Sequence, residues 1–334
     1  MYFKSKKNKI FFIAEIGSNH EGNYKTAVKL TYQAIKSGAD AIKFQIFNCD
    51  TLVNKKIEPE RHSHFKRLQL DINQFISLAK ICEKNNVIFM ASVWCKELLK
   101  KINPYLKIHK VGSGDLTNFE ILAKLVETKK PIIISTGLSD IKTIDKVINF
   151  IKKKDIIYIK KKKVAILQCT ANYPNPSNEV DLNNLNLFKK RYNLPVGFSD
   201  HTTDSNACEL SYFLGAKIIE KHFTHDKNIK TFRDHQISMT TKEVKTFLNK
   251  LSLMEKILGY KKKQILKSEK TSKNYITFRR GIYARIDIKK GEKLTKKNLI
   301  LLRPLRGISA DRYFEVLGKR SIYNIKKNNI IRIK

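Results

Sequence analysis

Histidine, lysine and carboxylate side chains recur where short apolar runs of this 334-residue chain come to an end. The run at residues 10–17 holds Glu15 and leads into Ser18, Asn19 and His20. Residues 41–47 carry Lys43 and Gln45, and residues 87–94 carry Ser92 and Trp94. Residues 106–114 carry Lys110 and Ser113, with Asp115 next. Residues 131–137 end Ser135-Thr136-Gly137, and residues 164–170 end Gln168-Cys169-Thr170, ahead of Asn172-Tyr173-Pro174. Residues 196–202 end Ser199-Asp200-His201-Thr202, and residues 218–224 carry Glu220, Lys221 and His222. Such groups inside apolar strands are costly unless paired or used. Two chemistries follow. His201 and His222 fall at matching depth on successive runs with Glu15 within reach. Two imidazoles, a carboxylate and water suit a divalent ion, Mn²⁺ first and Mg²⁺ or Co²⁺ after it; alternatively, one of the two rings only hydrogen-bonds a neighbouring strand. Lys43, Lys110, Ser113, Ser135 and Ser199 supply the ammonium and hydroxyl donors that a bound phosphate needs. The competing account has the lysines salt-bridged to Glu15, Asp115 or Glu220.

The elements that must position these groups alternate. Eight uniformly apolar runs, of the kind buried on both faces, are separated by amphipathic patterns. Ala27, Leu30, Thr31, Ala34 and Ile35 share one helical face. A second pattern runs from Phe75 through Leu78, Ala79, Cys82 and Glu83. The last carries Val244, Phe247, Leu248, Leu251, Met254, Ile257 and Leu258 behind a Thr240-x-x-Glu243 capping box. Eight β/α units in about 260 residues predict an α/β fold, a (β/α)8 TIM barrel, whose catalytic groups gather at the C-terminal strand ends. A doubly wound sheet is the alternative, weakened by the lack of a G-x-G-x-x-G after the first run. The barrel is expected over residues 1–260 and a polar linker over 261–278. A small β-rich domain is expected over 279–334, with strands at 281–284 and 299–303, a turn at Lys289-Lys290-Gly291-Glu292, and breaks at Gly307 and Gly318.

Composition narrows the classes. The net charge of +37 comes from lysines spread along the whole chain. A general field favouring anionic substrates follows, rather than a nucleic-acid surface. No run of about 18 apolar residues exists, which excludes a membrane-spanning helix. Lys4, Lys6, Lys7 and Lys9 precede only five apolar residues before Glu15, too few for a secretory signal, so this stretch reads as a first strand in a cytoplasmic protein. Cys49, Cys82, Cys95, Cys169 and Cys208 form no C-x-x-C pair and read as buried thiols.

The run Ala14-Glu15-Ile16-Gly17-Ser18-Asn19-His20-Glu21-Gly22 resembles the opening motif of the sialic acid (N-acetylneuraminate) synthase family. So do Lys43-Phe44-Gln45, Lys110-Val111-Gly112-Ser113-Gly114-Asp115, Ser135-Thr136-Gly137, Ser199-Asp200-His201-Thr202 and Glu220-Lys221-His222-Phe223-Thr224. Order and spacing hold from about residue 10 to 320. The tail from Arg280 resembles that family's antifreeze-like (SAF) domain, with Arg303-Pro304 and Gly307-Ile308 matching the segment that reaches a partner subunit's site. The resemblance implies a metal-dependent condensation of phosphoenolpyruvate with an N-acylated hexose, either N-acetylmannosamine or a related 2,4-diacetamido sugar. It makes His201 and His222 the metal ligands and Glu15 the group that stabilises the cationic centre or orients water. It assigns Lys43, Lys110, Ser113, Ser135 and Ser199 to phosphate and carboxylate, with Gln45 and Ser92 beside them. It assigns Asp115, Tyr173, Asp234 and Arg303 to the sugar, in a homodimer. Legionaminic or pseudaminic acid synthesis is the alternative within the family. A nucleic-acid or polysaccharide binder, or an aldolase with a Schiff-base lysine (Lys43, Lys110 or Lys221), are the alternatives outside it. Departures from the pattern gather on the sugar side: Ala171, Phe232-Arg233-Asp234-His235, Leu305-Arg306, and the segment from Asn48 to Leu70.

Overall fold

The eight apolar runs form eight parallel strands: β1 (Phe11–Gly17), β2 (Ala41–Ile46), β3 (Ile88–Val93), β4 (His109–Val111), β5 (Ile132–Ser135), β6 (Val164–Cys169), β7 (Val196–Asp200) and β8 (Ile218–His222). They close into a barrel in chain order, with β8 pairing back onto β1. The structure is a computed structural model that describes residues 2–5, 10–259 and 262–333. Lys6, Lys7 and Lys9 of the basic N-terminal stretch lie outside the described residues, as do Tyr260 and Lys261 at the expected domain boundary. β4 is shorter than its apolar run because a 3₁₀ turn, Ser113–Asp115, ends the pairing.

Local chemistry sets the helices between the strands. Tyr24–Ser37 starts where the Asn23 side chain accepts from the Thr26 N–H, and it stops at Gly38, whose φ of 91° is left-handed. It buries Ala27, Leu30, Thr31 and Ala34. Ile72–Lys84 buries Phe75, Leu78, Ala79 and Cys82 but leaves Glu83 exposed, so the second apolar face stops one residue earlier than its sequence pattern. Thr241–Leu258 begins at the expected box, where the Glu243 carboxylate accepts from the Thr240 N–H at 2.8 Å.

Strand side chains alternate between two apolar layers. Phe12, Ala14, Ile42, Phe44 and their equivalents pack outward against the helices. Phe11, Ile13, Ala41, Met90, Ile108, Ile133, Ala165, Leu167 and Ile218 fill the barrel interior. Burial on both faces is why the strands read as uniformly apolar.

His109 is an outward-facing exception. Its Nε2 lies 2.9 Å from Thr128 Oγ1, whose hydroxyl already donates to the Leu125 carbonyl. The ring must therefore donate through Nε2, and its buried Nδ1 has no partner. Burial, helped by Lys130, pushes this histidine down to about 4 from its ordinary 6.5. The unfolded chain thus binds a proton that the folded chain refuses. The stability held by the neutral ring is complete above pH 6.5 and is lost as pH falls toward 4. At about 1.4 kcal/mol per pH unit from 6.5 down to about 4, the full loss amounts to about 3.5 kcal/mol. His109→Gln is expected to flatten this part of the acid dependence, read as urea midpoints at about pH 7 and pH 4.5. An unchanged slope would remove His109 as its source.

Gly259–Lys334 forms a second compact unit. In it, β9 (Gly281–Ala284) pairs antiparallel with β10 (Leu299–Leu302), and single bridges join Ile288 to Ile325 and Lys293 to Arg320. Its core is Ile282, Ala284, Ile288, Leu294, Leu299, Val316, Ile325 and Ile331. The segment expected as a plain linker carries two short helices, Lys267–Thr271 and Asn274–Thr277, and the Ile276 carbonyl accepts from the Leu305 N–H. No helix among the described residues is long and apolar enough to cross a membrane. All five cysteines are free and buried.

Candidate active site

The same alternation that fills the barrel builds the site. Two residues beyond the apolar interior layer, the inward positions become Glu15, Lys43, Ser92, Lys110, Ser135, Cys169, Ser199 and Glu220. One further step brings in Gln45, His201 and His222. These line one cavity of about 750 Å³, together with Ser113, Asp115, Tyr173 and Asp234. Every site residue expected in the barrel unit therefore meets the same space. Arg303 lies in the second unit just past β10, exposed, with its guanidinium 5.9 Å from the Phe278 ring centre.

Two glycines make room. At the end of β1 the register against β2 shifts between Glu15 and Gly17, and Gly17 takes a φ of 57°. This bulge turns the chain out of the barrel directly beyond Glu15. Gly137 brings its N–H to 3.1 Å from Ser113 Oγ, and a Cβ there would stand 2.7 Å from that oxygen.

Two ammonium groups and two carboxylates interlock on the cavity floor. Lys43 Nζ lies 2.7 Å from Glu15 Oε2 and 3.8 Å from Glu220 Oε2. Lys110 Nζ lies 3.6 Å from Glu220 Oε1 and donates to Ser135 Oγ at 2.6 Å. Ser199 donates to Glu220 at 3.0 Å, and Gln45 donates to Glu15 at 3.3 Å. The lysines are thus paired with Glu15 and Glu220, and not with Asp115, which instead accepts from the Asn118 side chain. Burial lifts Glu15 to about 7, against the pull of Lys43. Burial also opposes ionisation of Glu220, but Lys110, Lys43 and the Ser199 hydroxyl outweigh it and hold this acid low. Burial lowers Lys110, which Glu220 offsets in part; Lys43 is instead held high, because Glu15 and Glu220 outweigh its burial. The floor therefore keeps two cations in place and one acid able to exchange a proton near neutrality.

The two imidazoles stand above it, with ring centres 5.5 Å apart. His201 Nδ1 lies 2.7 Å from the Thr170 carbonyl, so that nitrogen carries a proton and Nε2 is the one left free to bind a metal. Burial opposes a second proton on this ring, but Cys169 and the Thr170 carbonyl outweigh it and hold His201 above the usual histidine range. His222 Nδ1 is buried with no hydrogen bond, and Asp234 Oδ2 is 3.7 Å away. Burial, then His201 and Lys43, hold His222 well below the usual range, so it is neutral. Two imidazoles at this spacing, one with an unpartnered buried nitrogen, fit a divalent ion. The alternate residues on β7 and β8 are structural. Asp200 and Lys221 face away from the interior and pair at 2.6 Å, and Lys221 also donates to the Thr202 carbonyl at 2.6 Å. This engages Lys221 behind the strands rather than in the cavity.

The mouth is largely aromatic. The Tyr173 ring centre lies 4.0 Å from that of His201, and the Arg233 guanidinium lies 4.8 Å from the Tyr173 ring centre. Phe47 stacks on Trp94 at 5.4 Å, Phe65 meets Trp94 edge-on, and His64 stacks on Phe232 at 6.0 Å. Arg61, His64, Phe65 and Leu68 reach the cavity from the segment between Asn48 and Leu70. That segment's periodicity carries no signal for the site, so sequence reasoning misses them. It also treats Glu220 only as a partner for the lysines. The two-residue spacing from Ile218 through Glu220 to His222 is the signal that places Glu220 inside.

A family model described as the NeuB family matches residues 30–263, and a SAF domain model matches residues 279–334. The chain is 36% identical to an N,N'-diacetyllegionaminic acid synthase of Campylobacter jejuni, over 97% of this chain and 99% of that protein. It is 30% identical to a pseudaminic acid synthase of the same species, over 95% and 94% of the two chains. Among solved structures it is similar to an N-acetylneuraminic acid synthetase from Leptospira borgpetersenii, with a TM-score of 0.70 and 28% identity, covering 80% of this chain and 91% of that one.

Proposed function

The chain belongs to the NeuB family, and from that premise we propose that it condenses phosphoenolpyruvate with a 2,4-diacetamido hexose, giving a legionaminic-type nonulosonic acid and phosphate. The reaction class is that of its relatives: the chain is an enzyme of the phosphoenolpyruvate-dependent nonulosonic acid synthase type. The observation that carries the choice of acceptor is the higher identity to the legionaminic acid synthase, 36% over nearly the whole of both chains, against 30% and 28% for the pseudaminic and neuraminic relatives. Ala171, Phe65, Trp94 and Phe232 support it, because they give the mouth an apolar wall. Such a wall accommodates the methyl groups of two acetamido substituents better than a ring of free hydroxyls.

In this reading Lys43 and Lys110, helped by Ser113, Ser135 and Ser199, hold the phosphate and carboxylate of phosphoenolpyruvate. Gln45 and Ser92 keep Glu15 and Lys43 in place. His201 and His222 hold a divalent ion, with Mn²⁺ the first choice, which when bound polarises the sugar aldehyde. The methylene carbon of phosphoenolpyruvate bonds to the aldehyde carbon as the C=O π bond breaks; the aldehyde oxygen takes that electron pair and a proton from solvent to become a hydroxyl, and positive charge develops at the enol carbon. Glu15, poised near neutrality, faces that charge and takes a proton from the water that adds there. Loss of phosphate from the resulting tetrahedral centre leaves the 2-keto acid. Asp115, Tyr173 and Asp234 contact the sugar. A second copy of the chain is the remaining partner, and what supports it, with Arg303 meeting the sugar, is the resemblance of the tail.

The test is phosphate release from phosphoenolpyruvate with Mn²⁺, using N-acetylmannosamine, its 6-phosphate and 2,4-diacetamido hexoses as acceptors. Release is expected with a 2,4-diacetamido hexose, at least tenfold faster than with N-acetylmannosamine, with a product mass to match. In the same assay Arg303→Ala should raise the acceptor KM and leave that for phosphoenolpyruvate unchanged. Preference for N-acetylmannosamine overturns the acceptor, and no release with any sugar overturns the reaction.

A further inference from the structure

A second set of metal-ligating side chains lies outside the cavity, in the segment between β2 and the helix Ile72–Lys84. Cys49, Asp50 and His62 bring a thiol, a carboxylate and an imidazole together, with one ligand atom from each lying within 4.8 Å of the others. Among the described residues this is the one such group of three. Cys49 and His62 are buried while Asp50 is exposed, so the group opens to solvent on one side only. His62 Nε2 lies 2.8 Å from Asp50 Oδ1.

The anchoring of the neighbouring helix points the same way. Pro59–Leu68 buries only His62 and Leu68. An imidazole thus occupies a position where an apolar side chain would ordinarily fasten a helix to the core. The same helix presents Arg61, His64 and Phe65 to the cavity mouth, so whatever fastens His62 sets the position of that wall.

We propose that Cys49, Asp50 and His62 bind a zinc-class divalent ion that clips the Pro59–Leu68 helix to the end of β2 and so positions the acceptor-side wall of the cavity. A soft thiolate, a borderline imidazole and a hard carboxylate all belong to the set that zinc takes, with water in the fourth position on the exposed side. Thiolate and carboxylate together balance the ion's charge. Tetrahedral bonds of about 2.0–2.3 Å require ligand atoms roughly 3.3–3.8 Å apart. The three atoms already lie within 4.8 Å of one another, and the His62–Asp50 pair has to open from 2.8 Å to reach that spacing. On binding, the Cys49 thiol proton goes to solvent, and the His62–Asp50 hydrogen bond is exchanged for two metal bonds. The site is separate from the inner pair His201 and His222; binding of the ion is independent of the reaction proposed above, and its positioning role rests on that reaction.

Cobalt(II) titration of the full-length protein after chelator treatment tests it, because thiolate ligation gives Co²⁺ a strong near-ultraviolet charge-transfer absorption that imidazole and carboxylate do not. The band is expected in the wild type and in Cys169→Ser, which removes the thiol beside His201. It is expected to be lost in Cys49→Ser. Calorimetric titration with Zn²⁺ should show one site at least tenfold weaker in His62→Gln, whose circular dichroism reports whether the fold is kept. No band in the wild type, or a band that survives Cys49→Ser, overturns the site. Should His62→Gln fail to fold, the cobalt spectrum of Cys49→Ser alone decides. A metal bound as expected, but with the acceptor KM unchanged when zinc is removed and restored, overturns the positioning role.

Discussion

Lys110→Met is expected to lower kcat/KM for phosphoenolpyruvate by about 10²–10³-fold, the equivalent of roughly 3–4 kcal/mol of anion binding. It should also destabilise the barrel by about 3 kcal/mol, because a buried charge then loses its partner. Both effects follow from one position. Lys110 is buried, 3.6 Å from Glu220, and donates to Ser135. Its removal leaves the Glu220 carboxylate with Lys43 at 3.8 Å and the Ser199 hydroxyl. A double variant, Lys110→Met with Glu220→Gln, separates the two effects. It removes both charges, and the amide carbonyl introduced by Glu220→Gln can still accept from Ser199, so most of the lost stability should return. Turnover should not, because the ammonium that meets the substrate is still missing. Urea denaturation and steady-state kinetics on both variants make the check. If turnover recovers in the double variant, Lys110 serves only to neutralise Glu220 and has no part in holding the anion.

His222→Ala is expected to behave in the opposite way: turnover falls at least about 10³-fold, in line with loss of Lewis-acid activation worth several kcal/mol, while the fold is barely affected. The ring is buried, its Nδ1 has no hydrogen bond, and burial with the nearby His201 and Lys43 keeps it from protonating. A side chain so poorly served by its surroundings adds little stability. A buried ring with no hydrogen bond on its Nδ1 at the cavity is explained by use rather than by stability. Thermal melts with and without Mn²⁺ test this directly. The wild type should gain melting temperature with the ion, as any ligand of the native state produces. His222→Ala should start near the wild-type value and gain less. A variant that melts far below the wild type while still responding fully to Mn²⁺ would make His222 a structural residue.

These two predictions rest on side chains whose roles were unequally legible. The barrel could be read directly, because strands buried on both faces must be apolar throughout and the helices between them must carry one apolar face. Glu15, Lys43, Lys110, His201 and His222 could be singled out for a related reason, as charged and polar groups in such strands are expensive and recur at one end of each. The two-residue strand period also separates Ser199 and Glu220, which face inward, from Asp200 and Lys221, which face outward, although the sequence alone leaves Lys221 open as a Schiff-base lysine. Which lysine pairs with which carboxylate was a different matter. It depends on strand register around a closed barrel, where Glu15 meets both Lys43 and His222 across neighbouring strands, and no local pattern encodes the stagger. The wall contributed by Arg61, His64 and Phe65, and the meeting of Cys49 and Asp50 with His62, arise where the chain folds back on itself between β2 and the next helix. Local sequence determined which residues could be buried and which faces they shared; only closure of the tertiary structure decided which charges meet, because electrostatic partners are chosen by distance in space and not along the chain.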